Sequence, residues 1–554
     1  MDYYNLIKEN AGERLELTTR MDDDVKLRNL LAYVMMKSDG KTKVDGVINV
    51  TLNRPKTMAA FIISALGRTS GQILVETEDK KLDTDYIKDF RRLAFAAADE
   101  KLLKLKLWKL KRYFDEQVCI RGGLAARCLF QMVDGVLDPD ITCWDYRYVN
   151  YVPGEDGWAS YGYSTRKKKS VIEGEKWYKS QGDKVSIPGK EAEVVEVWDK
   201  DHNEIWLGGV KVFEQEHPYG YVPVVIQGVS LGSMLADVDD IKNQNESIFY
   251  LIREAIPELN RLVSIIQTQA LGTLFPPAQD ALKSGATTPA ENIPDYNKVM
   301  APGSISAADI GGGISTINVG DANRAAMMAM ERMDRNMNEG GFIPRQLDSP
   351  APSGVALIIE KEGKDVIYLP RLETEGDALG ALGDMLTVQV IQMGGEVEIG
   401  TLGHERKFNT EKLKGRYQVT HTFTVKSLAT DAGMASLAAA YGNLMSDHDK
   451  RRLILQLDDP DGAERWLSYE EAERLSPLVK LRHIAIDLIA KGDEEDAKLL
   501  TDEMEVRLDQ LLSGTVAENK SVAGKEPSQV VSLFGGGTGR SAPKAPPAPA
   551  EEIK

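Results

Sequence analysis

The sequence is poor in cysteine. Its 554 residues include three, at Cys119, Cys128 and Cys143, and none of them belongs to a CxxC pair. A disulfide framework needs a denser, even-numbered set, and a structural zinc site needs closely spaced ligands. The sequence therefore excludes both, and we expect three reduced thiols in the core of a cytosolic protein.

Long apolar runs are also missing. Although 42% of the residues are hydrophobic, no run reaches the roughly 18 residues that a membrane-spanning helix needs. We therefore expect no membrane span and no membrane partner. Residues 1–10 lack the apolar core of a signal peptide, so we expect no secretion signal there.

Positive charge is in the minority, with 68 Lys and Arg against 85 Asp and Glu and a net charge of −17. Tight nonspecific binding to DNA depends on neutralising phosphates with Lys and Arg. This composition excludes a protein that grips DNA over a large surface. It still allows a protein that surrounds DNA without holding it.

The candidate catalytic motifs each lack a required residue or spacing. The segment ending Gly539-Arg540-Ser541 has Phe534 where a phosphate-binding loop needs glycine, and Arg540 where it needs lysine. The six histidines show no HExxH spacing, and no Gly-x-Ser-x-Gly stands at a strand-helix turn. Asp22, Asp23 and Asp24 could hold a cation weakly, but a solvated helix cap is the simpler interpretation. The sequence predicts a non-enzyme without cofactor or metal.

The most distinctive stretch runs from residue 231 to 353. Apolar residues at steps of three and four predict a helix over 235–270, about 50 Å long, which Pro257 should kink or divide. A segment rich in Pro and Gly follows, with two short strands expected within 299–319. A return helix should begin near Asp321 and end at Gly340. Two such helices with apolar residues on more than one face form a stalk that needs neighbours, so we expect an oligomer.

The rest of the chain predicts an α+β fold. Arg54-Pro55 is expected to open a helix that continues through Leu66. Residues 83–118 are expected to form one helix, 124–228 to be mostly β-structure with a turn at 137–140, and 353–393 to form a long helix kinked near Pro370. Strands over 396–399 and 416–425 should precede helices in 431–512. A disordered tail is expected over 513–554.

Two features of these helices have alternative interpretations. The lysines near Trp108 suggest a helix that binds nucleic acid or a membrane surface. The simpler interpretation is that they form the solvated face of a packed helix. Five methionines in 327–337 suggest contacts that tolerate shifts between neighbouring helices, because methionine is flexible. Ordinary helix packing is the simpler interpretation.

Two short motifs carry a resemblance to a known family. One is the turn His217-Pro218-Tyr219-Gly220-Tyr221, followed by the apolar strand 222–226 just before the long helix. The other is Ser353-Gly354 at the start of a helix, soon after a loop that contains proline. Together with the order of elements over about 80–512, they make the chain resemble the portal proteins of tailed bacteriophages.

The resemblance implies a mainly helical portal-type α+β fold with a β-rich wing, long stem helices, a small clip and a helical crown. The implied parts are a wing over 1–230, a first stem helix over 231–272, a clip over 273–320, a second stem helix over 321–340, a tunnel loop over 341–352, a wing helix with strands over 353–430, a crown over 431–512 and a tail over 513–554.

The implied function is that of a ring of twelve copies at one capsid vertex of a virion, assembled in the host cytoplasm. The ring would conduct double-stranded DNA without sequence-specific binding during packaging and ejection. It would contact the large terminase subunit, the major capsid and scaffolding proteins and a head-tail adaptor. The residues expected to face DNA are Arg345, Gln346, Asp348, Glu331, Asp334 and Glu339. Those expected in the clip contact are Phe275, Ile293, Tyr296 and Val299. A small internal clip core is an equal alternative for these four.

Two other classes remain open. One is a different oligomeric virion protein, such as a tail or baseplate scaffold, which ring stoichiometry would separate from a portal. The other is an enzyme whose site is assembled only by the fold. An apolar pocket with convergent titratable groups would favour the enzyme.

Overall fold

A computed structural model provides the fold. It describes residues 2–79, 82–133, 136–154, 157–181, 186–187, 189–235, 237–274, 278–281, 305–308, 313–316, 327–333, 335, 354–424, 428–455, 457, 460–476, 480–482, 484–485, 498–502 and 504. The chain divides into two compact units, Met1–Pro460 and Asp461–Lys554. Helices and sheets both contribute, so the predicted α+β class is confirmed.

The α-helices of four or more residues described in the first unit vary widely in length. They are α1 (Tyr3–Glu13), α2 (Leu15–Arg28), α3 (Arg54–Leu66), α4 (Thr84–Lys104), α5 (Leu110–Ile120), α6 (Lys169–Ile172), α7 (Lys176–Gln181), α8 (Ala255–Leu274), α9 (Gly354–Met393) and α10 (Leu428–Tyr441). Residues 327–333 are also helical. One further helix, α11 (Pro460–Leu475), starts at the boundary and continues into the second unit.

The strands of the described residues form two larger sheets and two small ones. They are β1 (Ser70–Glu76), β2 (Gly123–Val133), β3 (Val136–Trp144), β4 (Val149–Gly154), β5 (Gly157–Lys168), β6 (Glu191–Trp198), β7 (His202–Leu207), β8 (Val210–Glu216), β9 (Val224–Gly228), β10 (Ala278–Ala281), β11 (Ile305–Ala308), β12 (Gly313–Thr316), β13 (Glu396–Thr401), β14 (His404–Asn409) and β15 (Gln418–Thr424).

One sheet has the order β14-β13-β3-β2-β9, and the second is the antiparallel meander β4-β5-β6-β7-β8. Strands β1 and β15 pair antiparallel, with Ser70 opposite Thr424 and Glu76 opposite Gln418. In the third sheet, β10 pairs parallel with β11 and antiparallel with β12. The two strands expected within 299–319 are thus confirmed as β11 and β12.

The main core lies where α3, α4, α5 and α9 pack against the first sheet. Its buried members include Phe90, Phe114, Leu382 and Phe408, and the start of α8 joins it through Ile256. A second cluster, around Trp144 and Trp198, packs α2 between the two larger sheets. Alternation along the strands explains this arrangement, because one face of each sheet is then apolar.

The first half of the predicted helix over 235–270 is not an α-helix. A short 3-10 helix spans Val238–Asn243, Asn245 has a left-handed backbone with φ of 52°, and α8 begins only at Ala255. Proline fits the first turn of a helix because no intrahelical partner is lost there, so Pro257 marks the start of a new segment. Twenty residues give α8 a length of about 30 Å rather than 50 Å.

Two other expectations are wrong. The helix predicted over 83–118 is divided into α4 and α5 by a turn in which Lys106 has φ of 59°. The turn predicted at 137–140 lies instead in the first half of β3, where Pro139 is opposite Phe130. Sheet pairing outweighs the local preference of Asp and Pro for turns in that segment.

Several other predicted elements are confirmed. Helix α3 starts at Arg54 as predicted, and α9 extends over the predicted range and continues through Pro370. Residues 327–333 are helical, as expected for the return helix, and Met330 and Met333 pack against the main core. Those two methionines serve ordinary helix packing. The predicted tail over 513–554 lies outside the described residues.

Candidate functional site

The start of α8 is fixed to the body of the first unit by buried charges. The guanidinium of Arg253 donates to both carboxylate oxygens of Asp24, at 2.7 Å from Nε and 3.0 Å from Nη2. It also donates to Glu246 at 2.7 Å. The Asp24 side chain is completely buried. We call Arg20, Asp24, Glu246 and Arg253 the root cluster.

Arg20 of α2 completes the root cluster by holding the backbone that leads to α8. Its guanidinium donates to the carbonyl oxygens of Lys242, Gln244 and Asn245, at 2.5, 2.8 and 2.9 Å. It also lies 3.3 Å from the Glu246 carboxylate. A planar guanidinium with five donors suits this task, because it can satisfy several carbonyls at once.

Burial governs the electrostatics of the root cluster. Desolvation lowers the pKa of Arg20 and raises the pKa of Asp24, and hydrogen bonds from Arg253 oppose the shift at Asp24. The two cations and the two anions compensate one another, so each charge has an oppositely charged partner although it is removed from water. Each of the four groups has an oppositely charged partner within the cluster. The root cluster therefore holds the start of α8 in place.

A close contact between two backbone segments also fixes the region beside the root cluster. Gly122 has φ of +75°, and a Cβ placed on it would lie 1.8 Å from the carbonyl oxygen of Asn245. Only glycine fits this position, because every other residue would both clash and be strained. The end of α5 is thus pressed against the turn that precedes α8.

Helix α8 loses its cover along its length. Ile256 and Leu259 are 2% and 1% exposed, whereas Gln267 and Ala270, eleven residues further on in each case, are exposed. Eleven residues are close to three full turns, so each pair lies on one face of the helix. The face that is buried at the start is open three turns later. Helix α8 therefore leaves the core of its own unit.

An extended segment, residues 48–52, lies along another face of α8. The backbone N–H groups of Ile48, Val50 and Leu52 donate to the side chains of Thr268, Ser264 and Asn260, at 2.9, 2.9 and 3.0 Å. The three acceptors are four residues apart, which places them in a row. The two hydroxyls also donate back to helix carbonyls, so each is used twice. We call residues 48–52 the arm.

A second buried charge cluster joins α5 to α9. Lys111 donates to Glu375 at 2.6 Å and also to Asp115. The carboxylate side chains are 0% and 1% exposed. Burial raises the pKa of Asp115 and brings that of Glu375 to about 8, while Lys111 opposes both shifts. One cation shared by two buried acids makes this contact sensitive to pH.

Of the residues expected to face DNA, the structure describes one. Glu331 is exposed on helical residues 327–333, on a helix whose Met330 packs inward. Arg345, Gln346, Asp348, Asp334 and Glu339 lie outside the described residues. The clip residues Phe275, Ile293, Tyr296 and Val299 lie outside them as well.

Sequence reasoning missed the root cluster. It read Asp22, Asp23 and Asp24 as a weak cation site or a solvated cap, and both readings fail at two of these positions. Asp24 is buried against Arg253, and Asp22 pairs with Arg147 at 3.1 Å. The sequence feature that could have indicated the root cluster is Arg253, a charged residue among the apolar residues that precede α8.

Metal and thiol chemistry find no support in the described residues. No group of three His, Cys, Asp or Glu side chains there is arranged to hold a metal ion. All three cysteines are free, and burial raises the pKa of Cys128 and Cys143 to about 12, far from the range of a reactive thiolate. Among the described helices, none combines the length and the apolar character needed to cross a membrane.

Comparison with known proteins gives only distant similarity. No protein-family model matches the chain, and no curated protein matches it. Among solved structures, one similar chain belongs to "Neck of native GTA particle computed with C12 symmetry", with 12% identity and a TM-score of 0.37. Another belongs to "Virion of native gene transfer agent (GTA) particle", with 12% identity and a TM-score of 0.36. Each match covers 72% of this chain and 89% of the other. Similarity at this level assigns neither a family nor a function.

Proposed function

We propose that this chain is a structural protein of a phage-like virion, and specifically a portal protein. In this role, copies of the chain form a ring at one capsid vertex. The ring conducts double-stranded DNA during packaging and ejection, and it provides the docking site for the terminase and the tail connector. The proposal involves no catalysis by the chain itself.

The observation that carries the proposal is the increase in solvent exposure along α8. Beyond its buried start, Leu262, Val263, Ile265 and Ile266 are all half-buried, and they point to more than one face of the helix. These four side chains span about 160° around the helix, and an apolar face of that width needs cover. Repeated copies arranged about an axis supply that cover, and a ring leaves an opening at its centre.

The root cluster fits the same role. A helix that projects from its body transmits force and displacement to its base, so the base must be rigid. Buried ion pairs with several hydrogen bonds on each partner provide a fixed geometry. The order of elements, with β-structure before the projecting helix and a long helix after it, also matches the portal-type plan.

An acidic passage fits the exposed carboxylate of Glu331 and the net charge of −17. DNA that has to slide cannot be held by many phosphate contacts, because each contact adds to the affinity. Carboxylates facing the passage repel the phosphates and keep the duplex mobile. In this proposal the ATP-driven motor is a partner protein.

Negative-stain electron microscopy of the purified full-length chain tests the proposal. We expect rings with a central hole and twelvefold symmetry, whereas compact monomers would refute it. Labelling of the chain in assembled particles then separates the two structural roles. Label at one capsid vertex supports a portal, and label distributed along a tail or baseplate supports the alternative scaffold.

Glu331 provides a test of the passage. Filter binding of linear duplex DNA at physiological salt should show weak retention by wild-type rings and by Glu331→Gln. Glu331→Lys should increase retention, because each copy then offers a phosphate contact. Equal retention by all three proteins would place Glu331 away from the passage.

A further inference from the structure

The turn between α4 and α5 presents an unusual surface. Residues 103–109, Leu-Lys-Leu-Lys-Leu-Trp-Lys, are all exposed. Leu105 is 62% exposed and Trp108 is 53% exposed. We call residues 103–109 the Trp108 loop. Four large apolar side chains in one short turn form a patch of the kind that usually marks an interaction site.

The Trp108 loop is held in this conformation by its own hydrogen bonds. The N–H of Lys106 donates to Leu103 and the N–H of Leu107 donates to Leu102, both at 2.9 Å. Asp99 accepts from the N–H of Leu110 at 2.8 Å, which fixes the start of α5. The exposed side chains are therefore displayed by a defined turn, and a partner would lose little entropy in ordering them.

The charge of the patch is positive. Lys104, Lys106 and Lys109 alternate with the apolar residues, and Arg112 lies 5.9 Å over the ring of Trp108. On a chain with a net charge of −17, this is a local reversal of sign. A matching surface has to be both apolar and acidic.

Helix α9 carries such a surface. Glu373, Asp377 and Asp384 are exposed and lie within about 40° of one another around the helix, between exposed Leu369 and Val388. We call these five residues the acidic stripe. Beside its C-terminal end is an open groove of about 380 Å³, lined mainly by apolar and aromatic side chains, among them Tyr221, Met385 and Val388.

We propose that the Trp108 loop of one copy docks on the acidic stripe and groove of the next copy. The inference rests on the self-association proposed above, and it assigns a pair of surfaces to it. Loop and stripe are both exposed in the single chain, so neither covers the other. Lys111 of α5 contacts Glu375, which is two residues and therefore about 200° from Asp377 around α9. The loop thus precedes a helix that packs on the opposite side of α9.

Two different surfaces that fit each other make a head-to-tail contact. Such a contact repeats from copy to copy and closes into a ring when the rotation allows it. The lysines and the acids steer the approach, and Trp108 in the groove supplies the buried anchor. Complementary charge on this same chain favours a second copy over a lipid surface as the occupant.

Charge-reversal variants of the full chain, examined by sedimentation velocity, test the contact. Lys106→Glu with Lys109→Glu should reduce assembly, and so should Glu373→Lys with Asp377→Lys. The chain that combines all four changes should regain assembly, because the opposite charges again face each other. Lys190→Glu with Lys200→Glu makes the same change of charge at two exposed lysines elsewhere and should assemble like the wild type.

A mixture gives a sharper result. Each reversed chain alone pairs like charges and should stay unassembled. In an equimolar mixture, the loop of either chain faces a stripe of opposite charge on the other, so rings of alternating chains should form. Trp108→Ala should weaken association roughly 30-fold or more, as for an interface anchor. Circular dichroism of each variant confirms that it is folded.

Three outcomes overturn the inference. Assembly of both reversed variants at wild-type strength would refute this contact and leave the proposed ring intact. A monomeric wild type would refute the proposed function itself. Binding of the wild type to anionic phospholipid vesicles, abolished by Trp108→Ala while assembly is unchanged, would make the loop a membrane contact instead.

Discussion

Arg253 and Asp24 are joined by two parallel hydrogen bonds, 2.7 and 3.0 Å long, although 229 residues separate them in the chain. Asp24 is fully buried and Arg253 is 17% exposed. The pair fastens the segment that precedes α8 to α2, and Glu246 and Arg20 complete the cluster. The orientation of the projecting helix therefore depends on charges from two distant parts of the sequence.

Removal of one partner should be costly. Asp24→Ala leaves the Arg253 guanidinium partly buried with half of its compensation, and we expect the free energy of unfolding to fall by about 3–5 kcal/mol. Asp23→Ala, at the next residue, removes an exposed pair with Lys26 and should change stability by about 1 kcal/mol or less. Urea denaturation at one protein concentration measures both. Equal effects would mean that the root cluster contributes nothing beyond a surface pair.

The corner at Gly122 gives a second prediction. Gly122→Ala combines a left-handed backbone with a clash against Asn245, whereas Gly220→Ala has φ of +72° and nothing within 4 Å of the added Cβ. We expect a loss of about 1–2 kcal/mol for Gly220→Ala from backbone strain alone. Gly122→Ala should lose about 1–3 kcal/mol more. Thermal unfolding of the two variants isolates the close approach, and similar melting temperatures would argue against it.

Glu375 should make stability depend on pH. Burial raises the pKa of its carboxyl to about 8, above the ordinary value that applies in the unfolded chain. Between about pH 4.5 and 8 the folded protein holds a proton that the unfolded chain releases, so the contribution of Glu375 to stability decreases as pH rises.

Glu375→Gln should remove that contribution and flatten the dependence of the free energy of unfolding on pH within this window. Asp115, whose pKa is raised as well, keeps its own part. Glu396→Gln changes an exposed glutamate outside the acidic stripe and should keep the wild-type slope. Chemical denaturation at several pH values compares the three proteins. An unchanged slope in Glu375→Gln would show that Glu375 is ionised in the fold.

The arm gives a local prediction. Ser264→Ala removes the acceptor of the Val50 N–H while leaving α8 intact, and an unpaired half-buried amide costs about 1–2 kcal/mol. Hydrogen exchange at Val50 should therefore accelerate roughly 10-fold, with smaller changes at Ile48 and Leu52. Gln267→Ala, at an exposed position of the same helix, should leave all three amides unchanged. Exchange at wild-type rates in Ser264→Ala would mean that the arm is held by other contacts.

The sequence predicted those elements whose signal is local. Helix α3 was marked by Arg54-Pro55, and the apolar residues of α9 predicted a helix across Pro370. Strands β11 and β12 were predicted from the alternating residue pattern within 299–319, with glycines between the two strands. Each of these depends on neighbours within a few residues, so periodicity and turn chemistry are sufficient to find it.

The errors occurred where distant segments compete with local preference. The residues before α8 have helical spacing, yet Arg20 binds three of their carbonyl oxygens, which a continuous helix would use internally. Asp138 and Pro139 favour a turn, yet pairing with β2 keeps them in a strand. The turn at Lys106 divides a helix whose amphipathic pattern continues across it.

By itself, the sequence determined the α+β class, the reduced state of the cysteines and the apolar character of α8, because composition and spacing carry that information. Only the tertiary structure decided that Asp24 is buried against Arg253 and that α8 loses its cover after three turns. The same holds for the Trp108 loop and the acidic stripe, which stand exposed on separate surfaces. Burial and pairing are properties of residues far apart in the chain, and folding alone brings them together.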